Sequence, residues 1–223
     1  MLSAAMPFLG SFERRHAVVR SLWRFLLGAF EATGLIKVNA DFTEMPEGAI
    51  VVSNHPTLID VVIFVALVPR TVYVAKSSLL RNPFISRTVR STALPDDETL
   101  PGRAADFLGR GWNVIIFPEG TRSPVSGLHP FKRGAANMAL ASGAGIAVFS
   151  MALSRRILGK RQKPWDMGEK RVVFDISSAG TRFYRAHPGE TRRNAAKRIT
   201  EDIFGCISAL SRASGIGKEN PAA

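Results

Sequence analysis

The sequence predicts an α/β fold in which helices cover a largely parallel or mixed sheet. Apolar segments of strand length alternate along the chain with segments of helical periodicity. Several strand-length segments are apolar almost throughout, which is typical of strands covered on both faces. The 223 residues have a hydrophobic content of 46%, which is ample for one core. We therefore expect an α/β domain over residues 35–212, a helical segment at 1–34 and a flexible tail at 213–223.

The N-terminal helical segment is amphipathic. Helical spacing over residues 17–34 places five apolar side chains on one face: Val18, Leu22, Phe25, Leu26 and Phe30. Trp23 stands beside Arg20 and Arg24, a combination found in helices that lie at a bilayer interface. The segment is therefore expected to dock on a membrane. Docking on its own domain would explain the same pattern, and the two are compatible.

The remaining elements are predicted from apolar runs and from the glycine and proline residues that mark their ends. Strands are predicted at 49–52, 71–75, 92–95, 113–117, 146–153 and 171–176. Helices are predicted at 58–67, 77–90, 99–110, 133–142 and 190–210. The uncharged stretch 134–154 is long enough to span a bilayer, but Ser-Gly-Ala-Gly at 142–145 interrupts it. We therefore interpret that stretch as a helix, a turn and a buried strand.

A net charge of +12 is the strongest compositional signal and indicates an anionic partner. Nucleic acid, an anionic membrane surface and an acidic carrier protein are the candidates. A basic stretch over 155–171 contains Trp165, but no helix-turn-helix or RNA-recognition signature accompanies it. No nucleic acid is therefore expected as a partner, because a membrane surface or a carrier protein explains the same charge.

Cysteine and histidine are too sparse for a disulfide framework or a metal site. Cys206 is the single cysteine and lies in an apolar helical pattern, which fits a buried thiol in a reducing compartment. The four histidines are scattered, so no metal is expected. We also expect no signal peptide, because charged residues at 13–15 interrupt the N-terminal segment early.

The first of two informative motifs is Asn-His-Pro-Thr-Leu-Ile-Asp at 54–60, directly after a predicted strand. Pro56 fits the first turn of a helix, and Asp60 then lies about one turn further along. The Asp60 carboxylate could accept a hydrogen bond from one imidazole nitrogen of His55, leaving the other nitrogen to take a proton from a hydroxyl. A purely structural histidine at a strand end would give the same spacing.

The second motif is Phe-Pro-Glu-Gly-Thr-Arg-Ser at 117–123, and it also follows a predicted strand. Gly120 lets a ligand approach the backbone closely, Thr121 offers a hydroxyl, and Arg122 suits bidentate phosphate binding. Glu119 is expected either to accept a hydrogen bond from an acceptor hydroxyl or to order the loop by pairing with Arg122. A tight turn with a surface ion pair is the structural alternative.

Both motifs lie at the carboxyl ends of predicted strands, where open α/β sheets bind their ligands. Lys132, just before a predicted helix, could add positive charge to the same site. A base and an anion-binding loop at one edge of a sheet suggest acyl transfer on a phosphate-bearing substrate.

Together the motifs resemble the glycerolipid acyltransferase family that includes the 1-acylglycerol-3-phosphate acyltransferases, whose signatures are N-H-x4-D and F-P-E-G-T-R-S. The resemblance covers residues 50–153. It implies transfer of a fatty acyl group from acyl-CoA or acyl-carrier protein to a hydroxyl of a lysophospholipid-like acceptor, with no cofactor. It also implies His55 and Asp60 as the catalytic pair. The substrate-binding residues that it implies are Lys76, Glu119, Gly120, Thr121 and Arg122, joined by Lys132.

The chain departs from the family pattern in its second and fourth blocks. The second block is matched by Lys76, Leu79, Pro83 and Phe84. Ser86 stands where glycine is usual. The next strand ends in Asp96-Asp97 where the family has Asp-Arg, so Asp97 stands in place of a phosphate-binding arginine. Phe149 replaces the usual proline of the fourth block. A different acceptor, in a specialised lipid or polyene pathway, therefore remains an alternative. The expected location is peripheral, on the cytoplasmic face of a bacterial inner membrane.

Overall fold

The computed structural model describes residues 11–40, 42, 45–77, 92–124, 127–155, 157 and 171–214. Its strands are β1 (Ile36–Ala40), β2 (Ile50–Val52), β3 (Thr71–Ala75), β4 (Ala93–Pro95), β5 (Asn113–Ile116), β6 (Ile146–Leu153) and β7 (Val172–Arg182). Its helices are α1 (Phe12–Ala32), α2 (Asp60–Leu67), α3 (Leu100–Gly109), α4 (Gly134–Ser142) and α5 (Arg192–Ala213). From β2 onward most described strands are followed by a helix, whereas β4 is the next described element after β3 and β7 the next after β6.

The strands form one mixed sheet in the order β1-β7-β6-β2-β5-β3-β4. The pairs β1–β7, β2–β5, β2–β6, β3–β5 and β3–β4 are parallel. Strands β6 and β7 form the antiparallel pair. The prediction of a largely parallel or mixed sheet is therefore confirmed. The short strand β2 lies at the centre, with its carboxyl end on the same edge as those of β3, β4, β5 and β6.

Both faces of the sheet are covered, which explains why the central strands are apolar throughout. In β2, Val51 packs into the cluster that includes Phe64 of α2. Ile50 and Val52 pack into the cluster on the opposite face, which includes Met138 of α4. All three residues of β2 have no exposed surface. A strand of three residues can therefore anchor the loop that follows it.

Helix α1 begins earlier than predicted, because Ser11 caps its first turn and accepts a hydrogen bond from the Arg14 backbone at 3.4 Å. One face of α1 packs on the domain through Val19 and Leu27, which are buried, with Trp23 and Phe30 packed beside them. The other face leaves four of the predicted apolar side chains exposed: Val18, Leu22, Phe25 and Leu26. The helix thus docks on its own domain and still presents an apolar surface.

Several element boundaries differ from the sequence predictions. Strand β1 was not predicted, because Lys37 and Asn39 interrupt its apolar pattern at an edge of the sheet. Strand β7 continues to Arg182 as the antiparallel partner of β6. The stretch 134–154 is a helix, a turn at Gly143 and the buried strand β6, as predicted. Within the described residues, no helix is long and apolar enough to cross a membrane.

Some predictions concern residues that lie outside the described ranges. These are the first ten residues of the N-terminal segment, nearly all of the helix predicted at 77–90, most of the basic stretch at 155–171 and the tail beyond residue 214.

Candidate active site

The loop after β2 is fixed to the neighbouring strand by Asn54. The Asn54 side-chain nitrogen donates to the Met151 carbonyl at 2.8 Å, and its oxygen accepts from the Met151 backbone nitrogen at 2.7 Å. Asn54 is 5% exposed, so these two hydrogen bonds are shielded from water. They hold the loop in one orientation at the carboxyl edge of the sheet, and His55 follows directly.

His55 and Asp60 form a hydrogen-bonded pair in this loop. The His55 Nδ1 atom lies 3.0 Å from Oδ2 of Asp60, whose side chain has no exposed surface. Because a carboxylate only accepts, Nδ1 carries the proton and Nε2 is left as the basic nitrogen. The His55 ring stacks on Phe117 at 4.4 Å between centroids, which fixes its plane. The arrangement suits proton abstraction by Nε2.

The local geometry that creates the pair differs from the prediction. Helix α2 begins at Asp60, so Pro56 lies in the preceding loop and the expectation of a helical first turn at Pro56 was wrong. The loop curls back instead, because the Asp60 carboxylate also accepts from the Thr57 backbone nitrogen at 2.9 Å and from its hydroxyl at 2.5 Å. At the N-terminus of α2 the helix dipole also favours the negative charge of Asp60.

Glu119 joins the two motifs. One carboxylate oxygen accepts from the His55 backbone nitrogen at 3.2 Å and from the Ser123 hydroxyl at 2.5 Å. The other accepts from the His129 backbone nitrogen at 2.9 Å. The Ser123 backbone nitrogen in turn donates to the His55 carbonyl at 2.7 Å. Glu119 is 5% exposed, so its contacts order the loop, while its expected contact with an acceptor hydroxyl stays a prediction.

A cleft of about 390 Å³ opens beside the pair. Its lining includes six of the predicted site residues: His55, Lys76, Gly120, Thr121, Arg122 and Lys132. Asp60 and Glu119, the other two, are buried next to it. Apolar lining comes from Leu58, Val61, Tyr73 and Phe117. The sheet edge therefore brings the predicted base together with three cations and an apolar wall.

Gly120 shapes the cationic side of the cleft. Its φ of +64° is a conformation that other residues adopt only with strain. A Cβ at this position would lie 3.0 Å from Cε and Nζ of Lys132. The Lys132 backbone nitrogen donates to the Pro118 carbonyl at 2.8 Å, which ties this residue to the loop of the second motif. Glycine thus leaves room for the Lys132 side chain.

The two acids after β4 have different surroundings. Asp96 lines the cleft, and its Oδ2 lies 3.9 Å from Nζ of Lys132. Asp97 instead accepts hydrogen bonds from the Thr99 backbone nitrogen at 3.0 Å and the Thr99 hydroxyl at 2.5 Å. The hydrogen bond from the Thr99 side chain holds the pKa of Asp97 below its ordinary value. Of the two acids, Asp96 is therefore the one that lines the cleft, whereas the sequence pointed to Asp97.

Sequence reasoning assigned no roles to Asn54, Thr57 and Ser123, although all three lie within the two motifs. The motif letters include them, but their partners did not follow from the sequence. Asn54 and Met151, for example, are 97 residues apart. Among the described residues, no group of three or more His, Cys, Asp or Glu side chains is arranged to hold a metal ion.

Comparisons with known proteins agree with the two motifs. Residues 35–154 match the family model described as Acyltransferase. The chain is 30% identical over 152 residues to the 1-acyl-sn-glycerol-3-phosphate acyltransferase of Neisseria meningitidis, covering 65% of this chain and 58% of that protein. It is 36% identical over 108 residues to the enzyme of the same name from Salmonella typhimurium, covering 44% of each chain. The chain spans between one third and three fifths of the length of such curated relatives.

A solved structure shares the fold. The crystal structure of PlsC, the 1-acyl-sn-glycerophosphate acyltransferase of Thermotoga maritima, aligns with a TM-score of 0.64 over 92% of this chain and 86% of that one. At 21% identity this likeness concerns the fold alone. The family model, by contrast, covers more than half of the chain and includes both motifs. The chain therefore belongs to the acyltransferase family.

Proposed function

We propose that the protein transfers a fatty acyl group from an acyl thioester to a hydroxyl of a lysophospholipid-like acceptor. The observation that carries the proposal is the His55–Asp60 pair, with 3.0 Å between Nδ1 and Oδ2, at the edge of a cationic cleft. Relatives named 1-acyl-sn-glycerol-3-phosphate acyltransferases support the reaction class and a phosphate-bearing acceptor.

In this mechanism His55 acts as the general base. Its Nε2 takes the proton of the acceptor hydroxyl as the oxygen attacks the thioester carbonyl carbon. The C–S bond breaks, an oxygen ester forms, and the thiol leaves with the proton returned by the imidazolium. Asp60 stabilises that imidazolium and keeps the ring in the correct tautomer. General-base catalysis of this kind contributes about 10² to 10⁴-fold.

The cationic side of the cleft would bind the acceptor's anionic group. Arg122 provides a planar guanidinium suited to phosphate oxygens, and Lys76 and Lys132 add two ammonium groups nearby. Gly120 and Thr121 would allow the phosphate to approach the loop backbone. The apolar wall, with Val61 and Tyr73, would lie against hydrocarbon.

The donor is acyl-CoA or acyl-carrier protein. Both present a thioester on a pantetheine arm, and both are anionic, so the net charge of +12 suits either one. A direct comparison of rates with the two donors decides between them.

We further propose that the protein acts as a peripheral enzyme on the cytoplasmic face of a membrane. The exposed apolar face of α1 supports this proposal, since Phe25 is 73% exposed and Leu22 and Leu26 are each 39% exposed. Trp23, on the packed side of α1, lies 6.4 Å from the ring of Tyr73, which lines the cleft. A bilayer on α1 would therefore lie close to the site, and an acceptor could leave its acyl tail in lipid.

Two matched phenylalanines test the membrane proposal. Phe25 and Phe183 are 73% and 76% exposed, but Phe183 directly follows β7 and is not part of α1. Burial of one phenylalanine side chain in the bilayer contributes about 1.5–3 kcal/mol to the free energy of binding. Phe25→Asp should therefore lower the affinity for phosphatidylglycerol vesicles, measured by sedimentation, by at least about tenfold. Phe183→Asp should bind like the wild type. Equal binding by the wild type and both variants would contradict the role of α1.

The catalytic proposal is tested with purified protein and vesicles. Acyl-CoA and acyl-carrier protein are each offered with a panel of lysolipids, and products are identified by mass spectrometry, with His55→Ala as the control. A new acyl ester that depends on His55 is the expected result. If no donor and acceptor pair gives such a product, the proposed reaction is wrong.

A further inference from the structure

Most of the exposed apolar side chains belong to α1 or lie close to the base. Eight large hydrophobic side chains are exposed within the described residues. Leu58 is one of them, and it lies in the loop between His55 and Asp60, which we call the His55–Asp60 loop. Five others belong to α1 or to the turn after it: Val18, Leu22, Phe25, Leu26 and Leu35. The apolar surface of α1 therefore has a counterpart in the loop that carries the base.

Leu58 is directed outward because its two neighbours are held inward. Thr57 has no exposed surface and binds Asp60 through its backbone nitrogen and its hydroxyl. The Ile59 backbone nitrogen donates to the Thr57 hydroxyl oxygen at 3.0 Å, and the Ile59 side chain is 8% exposed. Leu58, between them, is 61% exposed and also lines the cleft. A side chain that lines the cleft and is mostly in solvent lies at the mouth of the cleft.

The His55–Asp60 loop and α1 cover the same face of the sheet. Ile59 packs into the cluster that contains Leu27 of α1 and Ile63 of α2. The other helices, α3, α4 and α5, pack into the cluster on the opposite face, as Leu108 and Met138 show. One bilayer surface can therefore contact both α1 and the mouth of the cleft.

The surroundings of Leu58 have the chemistry of a lipid interface. A single exposed leucine is ordinary on a protein surface, but this one shares its cleft with the cations Lys76, Arg122 and Lys132. An anionic bilayer presents phosphate groups above hydrocarbon, so it offers a partner to the cations and to the leucine together. The net charge of +12 adds to this attraction.

We propose that Leu58 inserts into the acyl region of an anionic bilayer, so that the His55–Asp60 loop, and not α1 alone, contacts the membrane. This inference rests on the proposed membrane docking through α1 and deepens it. A lysolipid would pass from the bilayer into the cleft beside Leu58, with its acyl chain in hydrocarbon and its phosphate near the cations. Leu58 would contact lipid and take no part in the chemistry of acyl transfer.

A fluorescent label reports the contact directly and does not depend on activity. Cys206 is the single cysteine, so Cys206→Ser provides a background for new ones. Leu58→Cys, Phe25→Cys and Phe183→Cys are each labelled with the environment-sensitive fluorophore NBD and mixed with phosphatidylglycerol vesicles. Phe183 is the control, because β7 is antiparallel to β6 and ends at the edge of the sheet opposite the cleft.

We expect the emission of the labels at residues 58 and 25 to increase on vesicles and shift to shorter wavelength. Nitroxide groups on the lipid acyl chains should quench both, and the label at residue 183 should not respond. A response at residue 25 without one at residue 58 would overturn the inference and leave the docking of α1 intact. Silence at both would overturn the two together. Equal responses at all three positions would indicate unspecific adsorption and also overturn the inference.

Vesicle affinity gives a second test that needs no label. Leu58→Gln removes the apolar side chain without adding charge and should lower the affinity for phosphatidylglycerol vesicles, measured by sedimentation, by about tenfold. Phe183→Gln is the matched control and should bind like the wild type. Wild-type affinity in Leu58→Gln would overturn the inference. Acyl transfer itself is tested separately by its dependence on His55.

Discussion

Substitution of Asp60 by asparagine separates the charge of the catalytic pair from its geometry. The Asp60 Oδ2 atom accepts from His55 Nδ1 and from the Thr57 backbone, while Oδ1 accepts from the Thr57 hydroxyl. An asparagine oxygen in the Oδ2 position keeps the first two hydrogen bonds. Its amide nitrogen, in the Oδ1 position, can donate to the Thr57 hydroxyl. The reversed orientation would place the amide nitrogen against two donors, so we expect the first one.

The expected decrease in kcat therefore comes from the loss of one negative charge beside the imidazolium. A hydrogen bond to a charged group is stronger than a neutral one by about 1–2 kcal/mol, which sets the lower bound. Two unit charges about 4 Å apart at an effective dielectric constant near 20 interact by about 4 kcal/mol, which sets the upper bound. Asp60→Asn should therefore reduce kcat by roughly 10- to 10³-fold, with about 10²-fold as the central expectation.

The assay is initial-rate acyl transfer in vesicles at saturating donor, with melting temperature measured on the same preparations. Asp106→Asn is the control, because it removes one negative charge from the exposed surface of α3. It should leave kcat unchanged. If Asp60→Asn keeps kcat within about threefold of the wild type at an unchanged melting temperature, Asp60 does not stabilise an imidazolium in the transition state.

Three further predictions concern Glu119, Gly120 and His16. In Glu119→Gln an amide nitrogen would face a buried donor, which should reduce the free energy of unfolding by about 1–3 kcal/mol. The same variant should lower kcat more than it raises KM for the acceptor. Urea unfolding and steady-state kinetics test these two expectations. Gly120→Ala should lower the free energy of unfolding by about 1–2 kcal/mol, because Gly120 has a positive φ. Gly102→Ala, on α3 with open space around its Cβ, should raise the free energy of unfolding slightly. Burial lowers the pKa of His16, so the unfolded chain binds more protons below about pH 6.5. Stability should therefore fall as the pH drops from 7.5 to 5.5, and His16→Gln should remove part of that slope in urea unfolding.

Each of these predictions has a clear contrary result. A Glu119→Gln variant that raises KM alone would place Glu119 in direct contact with the acceptor. Equal stability changes in the two glycine variants would mean that the backbone conformation at Gly120 is not strained by a side chain. A pH dependence of stability that is identical in the wild type and His16→Gln would show that His16 titrates equally in both states.

Local patterns sufficed to predict most of the fold, because the central strands are buried on both faces and read as continuous apolar runs. The edge strand β1 escaped prediction for the opposite reason, since Lys37 and Asn39 are exposed and break its pattern. Helix α2 begins two residues later than predicted, because hydrogen bonds to Asp60 hold Thr57 in a loop. The start of a helix thus depended on side-chain contacts that hydrophobic periodicity does not report.

The candidate site could be located from the sequence, because its two motifs follow strands whose carboxyl ends share an edge. The contacts within the site could not. Glu119 and the His55 backbone are 64 residues apart, and nothing local indicates that they meet. The family pattern pointed to Asp97, which replaces the usual arginine, as the acid near the acceptor. The structure instead has Asp96 in the cleft lining, while Asp97 accepts hydrogen bonds from Thr99.

The central claim is that His55 is the base of an acyl transfer reaction. It is tested most directly by comparing acyl ester formation by the wild type, His55→Ala and His187→Ala on vesicles that contain the preferred acceptor. His187 is exposed, and its described hydrogen bonds lie at the turn before α5, so its variant controls for the loss of a histidine. We predict a loss of at least about 10²-fold in kcat for His55→Ala and a rate near that of the wild type for His187→Ala. Undiminished ester formation by His55→Ala would contradict the account.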